Sequence, residues 1–74
     1  MRDDPRFQML QAELGARLRR YRTDRGWTQE YAAERSGLAT RHLQKLEAGE
    51  LNVTLYTLYR VASAYEVQLS ELLT

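Results

Sequence analysis

The stretch GWTQEYAAERSGLATRHLQKLEAG, Gly26 to Gly49, decides the fold. Thr28 is a good N-cap, and Gln29 and Glu30 follow it in a first turn where a carboxylate favours the helix dipole. Tyr31, Ala32, Ala33 and Arg35 carry the pattern on, which predicts a helix over about 28–35. Ser36-Gly37-Leu38 then reads as a turn, with Gly37 taking the positive φ that such a turn needs. A further short helix is predicted over about 40–48, stopped by Gly49, with Leu43 and Leu46 three apart on one side. Ala33 suits a close approach of the two helices. Two short helices joined by a tight, glycine-containing turn make a helix-turn-helix.

The flanks have helical periodicity too. Leu10, Leu14, Leu18 and Tyr21 step by four, four and three, which predicts a long first helix at about 9–25, with Gly26 after its last turn. TLYTLYRVASAY places Leu55, Leu58, Val61, Ala62 and Tyr65 at steps of three and four, predicting a helix at 54–65. QLSELLT predicts a last short helix at about 68–73. The one proline, Pro5, is expected before the first helix. Period-two alternation is not sustained anywhere, so the fold class is all-α, a five-helix bundle with one small core. Two-turn helices are not stable alone and must pack on the longer first and fourth helices. Core candidates are Leu14, Leu18, Tyr21, Trp27, Ala33, Leu43, Leu46, Leu58 and Val61. The expected organisation is an N-terminal extension, residues 1–8, and a single helix-turn-helix domain, residues 9–74.

A chain of 74 residues is one domain, and a chain of this size buries only about 60–65% of the surface its unfolded form exposes. It has no cysteine, so a disulfide or thiolate metal site is excluded, and its single histidine, His42, builds no histidine cluster. No metal or cofactor is expected. MRDDPRFQML lacks the apolar segment of a signal peptide, no apolar run is long enough to span a membrane, and a cytoplasmic location is expected. The charge is uneven. Residues 17–45 carry eight basic against three acidic side chains, a net +5, while residues 1–16 carry −1 and residues 46–74 carry −3. A cationic middle between acidic flanks suggests a polar molecule with one basic side. Ser36, Ser63 and Ser70 have no identifiable base, there is no glycine-rich phosphate loop, and an enzyme is not expected.

In a helix-turn-helix the later helix enters the DNA major groove and the earlier one crosses the backbone. The segment 40–48 buries little because its other side is available to a groove. Arg41 suits guanine O6 and N7, Gln44 suits adenine or a phosphate, and Lys45 suits guanine or a phosphate. Thr40, near the helix N-terminus, suits a phosphate or a thymine methyl. Spacing alone also admits a purely structural helix–helix corner; the cationic middle favours DNA.

The quoted stretch resembles the Cro- and phage-repressor-type helix-turn-helix proteins, also called Xre-like, whose loose pattern is "glsQeeLAeksGvs...is.iErG". The likeness continues in LGARLRRYR before it and TLYTLYRVASAYEVQLSELL after it, covering about residues 10–73. It implies a lambda-repressor-like five-helix DNA-binding domain that works as a homodimer on an inverted repeat. It implies that Gln29 contacts phosphate and braces the recognition helix; Thr28 beside it is assigned as a further phosphate contact. It implies Thr40, Arg41 and Lys45 as base-facing positions, with Gln44 beside them, and an internal ion pair between Arg22 and Glu47. The chain departs from the pattern at Ala32 for leucine, Ala39 for a Ser or Thr cap, Val53 for proline, Glu66 for glycine and Gln68 for serine. Beside Ala32 the core is expected either to be locally thinner or to be filled by Tyr31 or Trp27.

Two further groups complete the reading. Arg17, Arg19, Arg20 and Arg25 lie on the first helix, mostly on a solvated face, with Arg17 assigned to phosphate. Tyr56, Tyr59 and Ser63 form a second stripe on the fourth helix. With Leu51, Leu69, Leu72 and Leu73 they give more apolar surface than a small monomer needs, and a homodimer interface is expected there. The function read from the sequence is a sequence-specific, double-stranded-DNA-binding transcriptional regulator with no small-molecule ligand. Its alternatives are an antitoxin or restriction-modification controller of the same fold, and a protein-interaction adaptor that has lost DNA binding.

Overall fold

Asp4 starts the first helix. Its side chain accepts from the Arg6 N–H at 2.9 Å, and Pro5 takes the first helical position, where a missing N–H costs nothing. The computed structural model describes residues 4–73. Helix α1 therefore runs Pro5–Asp24, four residues longer at its start than the apolar stripe indicates, and Pro5 lies inside it rather than before it. Residues 1–3 of the expected N-terminal extension, and Thr74, lie outside the described residues. Helices α2 (Gln29–Ser36), α3 (Thr40–Glu47), α4 (Leu55–Tyr65) and α5 (Leu69–Leu73) follow, with no strand among the described residues. Thr28 caps α2 through the Tyr31 N–H, and Thr54 caps α4 through the Thr57 N–H. Ala39 starts α3 with no side-chain cap, a loss of about 1 kcal/mol against Ser or Thr.

The first four helices end in the same way. At α2, the N–H of Gly37 donates to Glu34 O at 3.1 Å and that of Leu38 to Ala33 O at 2.8 Å. At α4, Glu66 and Val67 repeat the pattern on Ser63 O and Ala62 O, at 3.2 and 3.0 Å. The residue at the bend is left-handed each time, glycine at 26, 37 and 49 but glutamate at 66, with φ of 59°. A side chain there costs about 1–2 kcal/mol, so the last two helices join through a strained cap that glycine would relieve.

Helix α3 packs against both α1 and α2, α4 packs on α2, and α5 closes the other side against α1 and α4. Between them lie Leu14, Leu18, Ala33, Leu43, Leu46, Leu58 and Val61, as expected, together with Ala32, Ala62, Ala64, Tyr65 and Leu72. Burying each leucine is worth about 1.5–3 kcal/mol. Tyr21 and Trp27, expected inside, are half-buried at the rim. Leu10 and Leu55 lie on the predicted stripes yet are 43% and 66% exposed. Tyr31 is exposed and does not fill the space beside Ala32. Instead Trp27 meets both Tyr65, at 5.5 Å, and Tyr31, at 5.2 Å, edge to face. Tyr65 is fully buried.

Gly15 is the close crossing of α1 and α3. A β-carbon there would collide with the carbonyl oxygens of Leu46 and Glu47, so only glycine lets the two backbones meet.

Candidate nucleic-acid interface

On α3, Leu43 and Leu46 point into the core, and the side chains at 40, 41, 44 and 45 share the opposite arc of the helix. Arg41, Gln44 and Lys45 are exposed and Thr40 is half-buried at the first turn. Among the described residues Arg41 and Lys45 make no hydrogen bond or ion pair, so both charges stand free.

What holds this ridge is polar. Arg22 of α1 grips Glu47 of α3 with two parallel bonds, Nε to Oε2 at 2.7 Å and Nη2 to Oε1 at 3.0 Å. Its third nitrogen donates to Trp27 O at 2.9 Å. The pair is nearly dry, with side chains 12% and 4% exposed. The hydrogen bond to Glu47 raises the Arg22 pKa above its ordinary value, more than burial lowers it. Gln29, first residue of α2, donates from Nε2 to Glu47 Oε1 at 3.0 Å. Gln44 in turn donates from Nε2 to Gln29 Oε1 at 3.3 Å. Three helices thus meet in one chain of hydrogen bonds, Arg22–Glu47–Gln29–Gln44, that ends on the exposed ridge.

The geometry brings Gln29, at the N-terminal end of α2, to Gln44 and Glu47 in the second half of α3, with Thr28 and Lys45 next to them in sequence, while Thr40 and Arg41 stand at the other end of α3. It does not bring Arg17 to them. Arg17 Nη1 donates to Leu72 O at 3.1 Å, holding the end of α5 against α1. Of the residues expected at a dimer interface, Tyr56 and Tyr59 are 66% and 57% exposed and stack at 6.3 Å, and Leu73 is also exposed. Leu51 and Leu69 are half-buried against the core. Leu72 is a correction: it is wholly buried within its own chain and offers nothing to a second copy. The five-residue helix α5 turns Leu72 inward and Leu73 outward, which spacing alone does not reveal.

Three features were not foreseen. Met9 and Leu55, 61% and 66% exposed, add apolar surface at the start of α1 and of α4. Arg60 of α4 donates to Gly37 O at 3.0 Å and lies over the Tyr56 ring, filling the space that a side chain at 37 would need. The Gln29–Gln44 bond links positions fifteen apart; its signal in the sequence is only that both are amides.

This arrangement, two short helices set at a glycine turn with the second presenting a free cationic ridge, defines the helix-turn-helix class of DNA-binding folds. Residues 18–72 match the Helix-turn-helix family HTH_3. The chain belongs to that Xre/Cro-like family. It is 41% identical over 61 residues to y4dJ, an uncharacterized HTH-type transcriptional regulator of Sinorhizobium fredii, covering 82% of this chain and 79% of that one. It is 37% identical over 68 residues to the control protein C.SmaI of Serratia marcescens, covering 92% and 81%. The crystal structure of the restriction-modification controller protein C.AhdI from Aeromonas hydrophila superposes with a TM-score of 0.81 at 36% identity, covering 82% of this chain and 92% of that one. These relatives are regulators and not enzymes, in line with the absence of catalytic groupings in the sequence. No helix among the described residues is long and apolar enough to cross a membrane.

Proposed function

We propose that this chain is a sequence-specific DNA-binding transcriptional regulator that acts in the cytoplasm as a homodimer on an inverted-repeat operator. The observation that carries the reading is the α3 ridge: Arg41 and Lys45 stand free and exposed on a helix whose base is fixed by a nearly dry ion pair. Arg41, Lys45, Thr40 and Gln44 face base edges, and Thr28 and Gln29 meet phosphate at the α2 N-terminus, where the helix dipole favours an anion. A second copy packs on the exposed Tyr56, Tyr59 and Leu73, with Leu51 and Leu69 at its margin. Two such ridges enter successive major grooves about 34 Å apart. Within this reading, control of a restriction-modification system is favoured by the likeness to C.SmaI and C.AhdI over most of both chains.

Selection of binding sites from random duplex DNA tests the proposal. The wild-type chain is expected to enrich an inverted repeat, with affinity that falls steeply as salt rises. Arg41→Ala is expected to relax one base pair in each half-site by about 1–3 kcal/mol. An unchanged motif removes Arg41 from the reading face. Absence of any retained DNA at low salt overturns the DNA-binding reading and favours the adaptor.

A further inference from the structure

The two ends of α3 are held by different elements. Its last turn carries Glu47, which Arg22 of α1 grips. Its first turn has no anchor of its own, because Ala39 offers no side-chain cap. A tie comes instead from α4. Arg60 Nη2 donates to the carbonyl oxygen of Gly37 at 3.0 Å, in the turn that leads to Thr40. That bond lies at the surface, beside an open cleft bordered by Gly37, Tyr59 and Arg60, where water competes for both partners. The same guanidinium sits over the ring of Tyr56, one helical turn back on α4, with its carbon 5.6 Å from the ring centre. A planar guanidinium can do both at once, giving its face to a ring and an edge N–H to a carbonyl; an ammonium, a compact point charge, has no such face. Tyr56 is 66% exposed and stacks on Tyr59, on the surface where a second copy is placed above.

We propose that Arg60 is a positioning residue that links dimerisation to the aim of the recognition helix. A second copy packed on Tyr56 excludes water from the Arg60–Tyr56 contact, and a cation over a ring gains strength when water leaves. The guanidinium is then held in the orientation that keeps its edge on Gly37 O. The turn tightens, and Thr40 and Arg41 at the open end of α3 are set for the groove. This rests on the DNA-binding and homodimer readings above and deepens them. Linkage makes the effect mutual: if dimerisation raises the affinity of each chain for a half-site, a bound half-site raises dimerisation by the same factor. That factor is about 5- to 10-fold, the gain of a cation–ring contact taken from water into an interface.

Sedimentation of the chain tests it, with and without a short duplex carrying a single half-site from the site selection, so that no DNA bridges two chains. The variants are Arg60→Lys, which keeps the charge but not the planar fork, and Tyr56→Leu, which keeps an apolar surface but not the ring. The duplex is expected to favour wild-type dimerisation about 5- to 10-fold more than it favours that of either variant. The double variant is expected to lose no more than each single one, the mark of two residues acting as a pair. A merely structural Arg60 would change half-site affinity equally in monomer and dimer, so an Arg60→Lys chain with the wild-type response to the duplex overturns the proposal. Arg60→Lys leaves the apolar surface intact and decides the matter where Tyr56→Leu weakens the dimer outright. A wild type that stays monomeric at every concentration removes the homodimer reading and the link with it. A wild type that dimerises but selects no sequence removes the DNA-binding reading and the link, a different result.

Discussion

Arg22 and Tyr56 are both large side chains at the rim of the same small core, and the fold treats them in opposite ways. Arg22 is 12% exposed, spends its guanidinium on Glu47 and Trp27, and ties α1 to α3. Tyr56 is 66% exposed, stacks only on Tyr59, and has Arg60 over its ring. A charge has been taken out of water and fully partnered at one edge, while apolar surface has been left in water at the other. The first arrangement is complete within one chain and orients a helix. The second is incomplete within one chain, which is why we place a second copy there. A variant at the first edge is therefore expected to act on folding, and a variant at the second on association.

The sharpest way to break this contrast is Arg22→Ala. It strands the Glu47 carboxylate in a nearly dry site, and removing one partner of a buried pair costs about 3–5 kcal/mol. Urea unfolding is expected to show a loss of that size; an unchanged midpoint would mean the pair holds nothing. Next comes pH. Burial, reinforced by the Glu47 charge and opposed by Arg22 and Arg25, pushes the Tyr65 phenol up to about 12, against about 10 in the unfolded chain. Below pH 10 both states keep the proton and stability is full. Above it the unfolded chain ionises first, so stability falls as pH rises and about 2–3 kcal/mol is gone by pH 12. Tyr65→Phe should flatten that decline, and the hydroxyl it removes has no hydrogen-bond partner among the described residues. A variant with the same alkaline profile would show that Tyr65 does not govern it. Smallest in folding terms is Tyr59→Ser, within about 0.5 kcal/mol for the monomer. Sedimentation at rising concentration is expected to find the wild type dimeric and this variant monomeric. Equal dimerisation of both would move the interface elsewhere.

The helix-turn-helix was legible because its signals are local. Thr28 caps, Gly37 turns and Gly49 stops, and each does so through bonds to residues within five positions. The Arg22–Glu47 pair came from likeness to a family rather than from spacing, since nothing in the sequence dictates that two residues twenty-five positions apart meet. The start of α1 was missed because Pro5–Gln8 adds one apolar residue to the stripe, although an Asp-Pro step is itself a helix-start signal. Neither the inward turn of Leu72 nor the partner of Arg17 is legible from spacing. Which leucine of a five-residue helix faces inward depends on how that helix docks, and Arg17 fixes the docking through Leu72 O. Glu66 shows the reverse case, a glycine-type bend made without glycine, visible only in the backbone.

The contact at Gly15 sets how firmly the recognition helix is aimed. Glu47 and Leu46, at the far end of α3, lie directly on the α1 backbone, while Thr40 and Arg41 project from the other end. Eight residues at about 1.5 Å each make a lever of about 12 Å. A swing of about 5° at the root moves its tip by about 1 Å, a third of a hydrogen bond's length. A methyl group added at position 15, remote from any nucleotide, would thus shift the fingertips of the molecule.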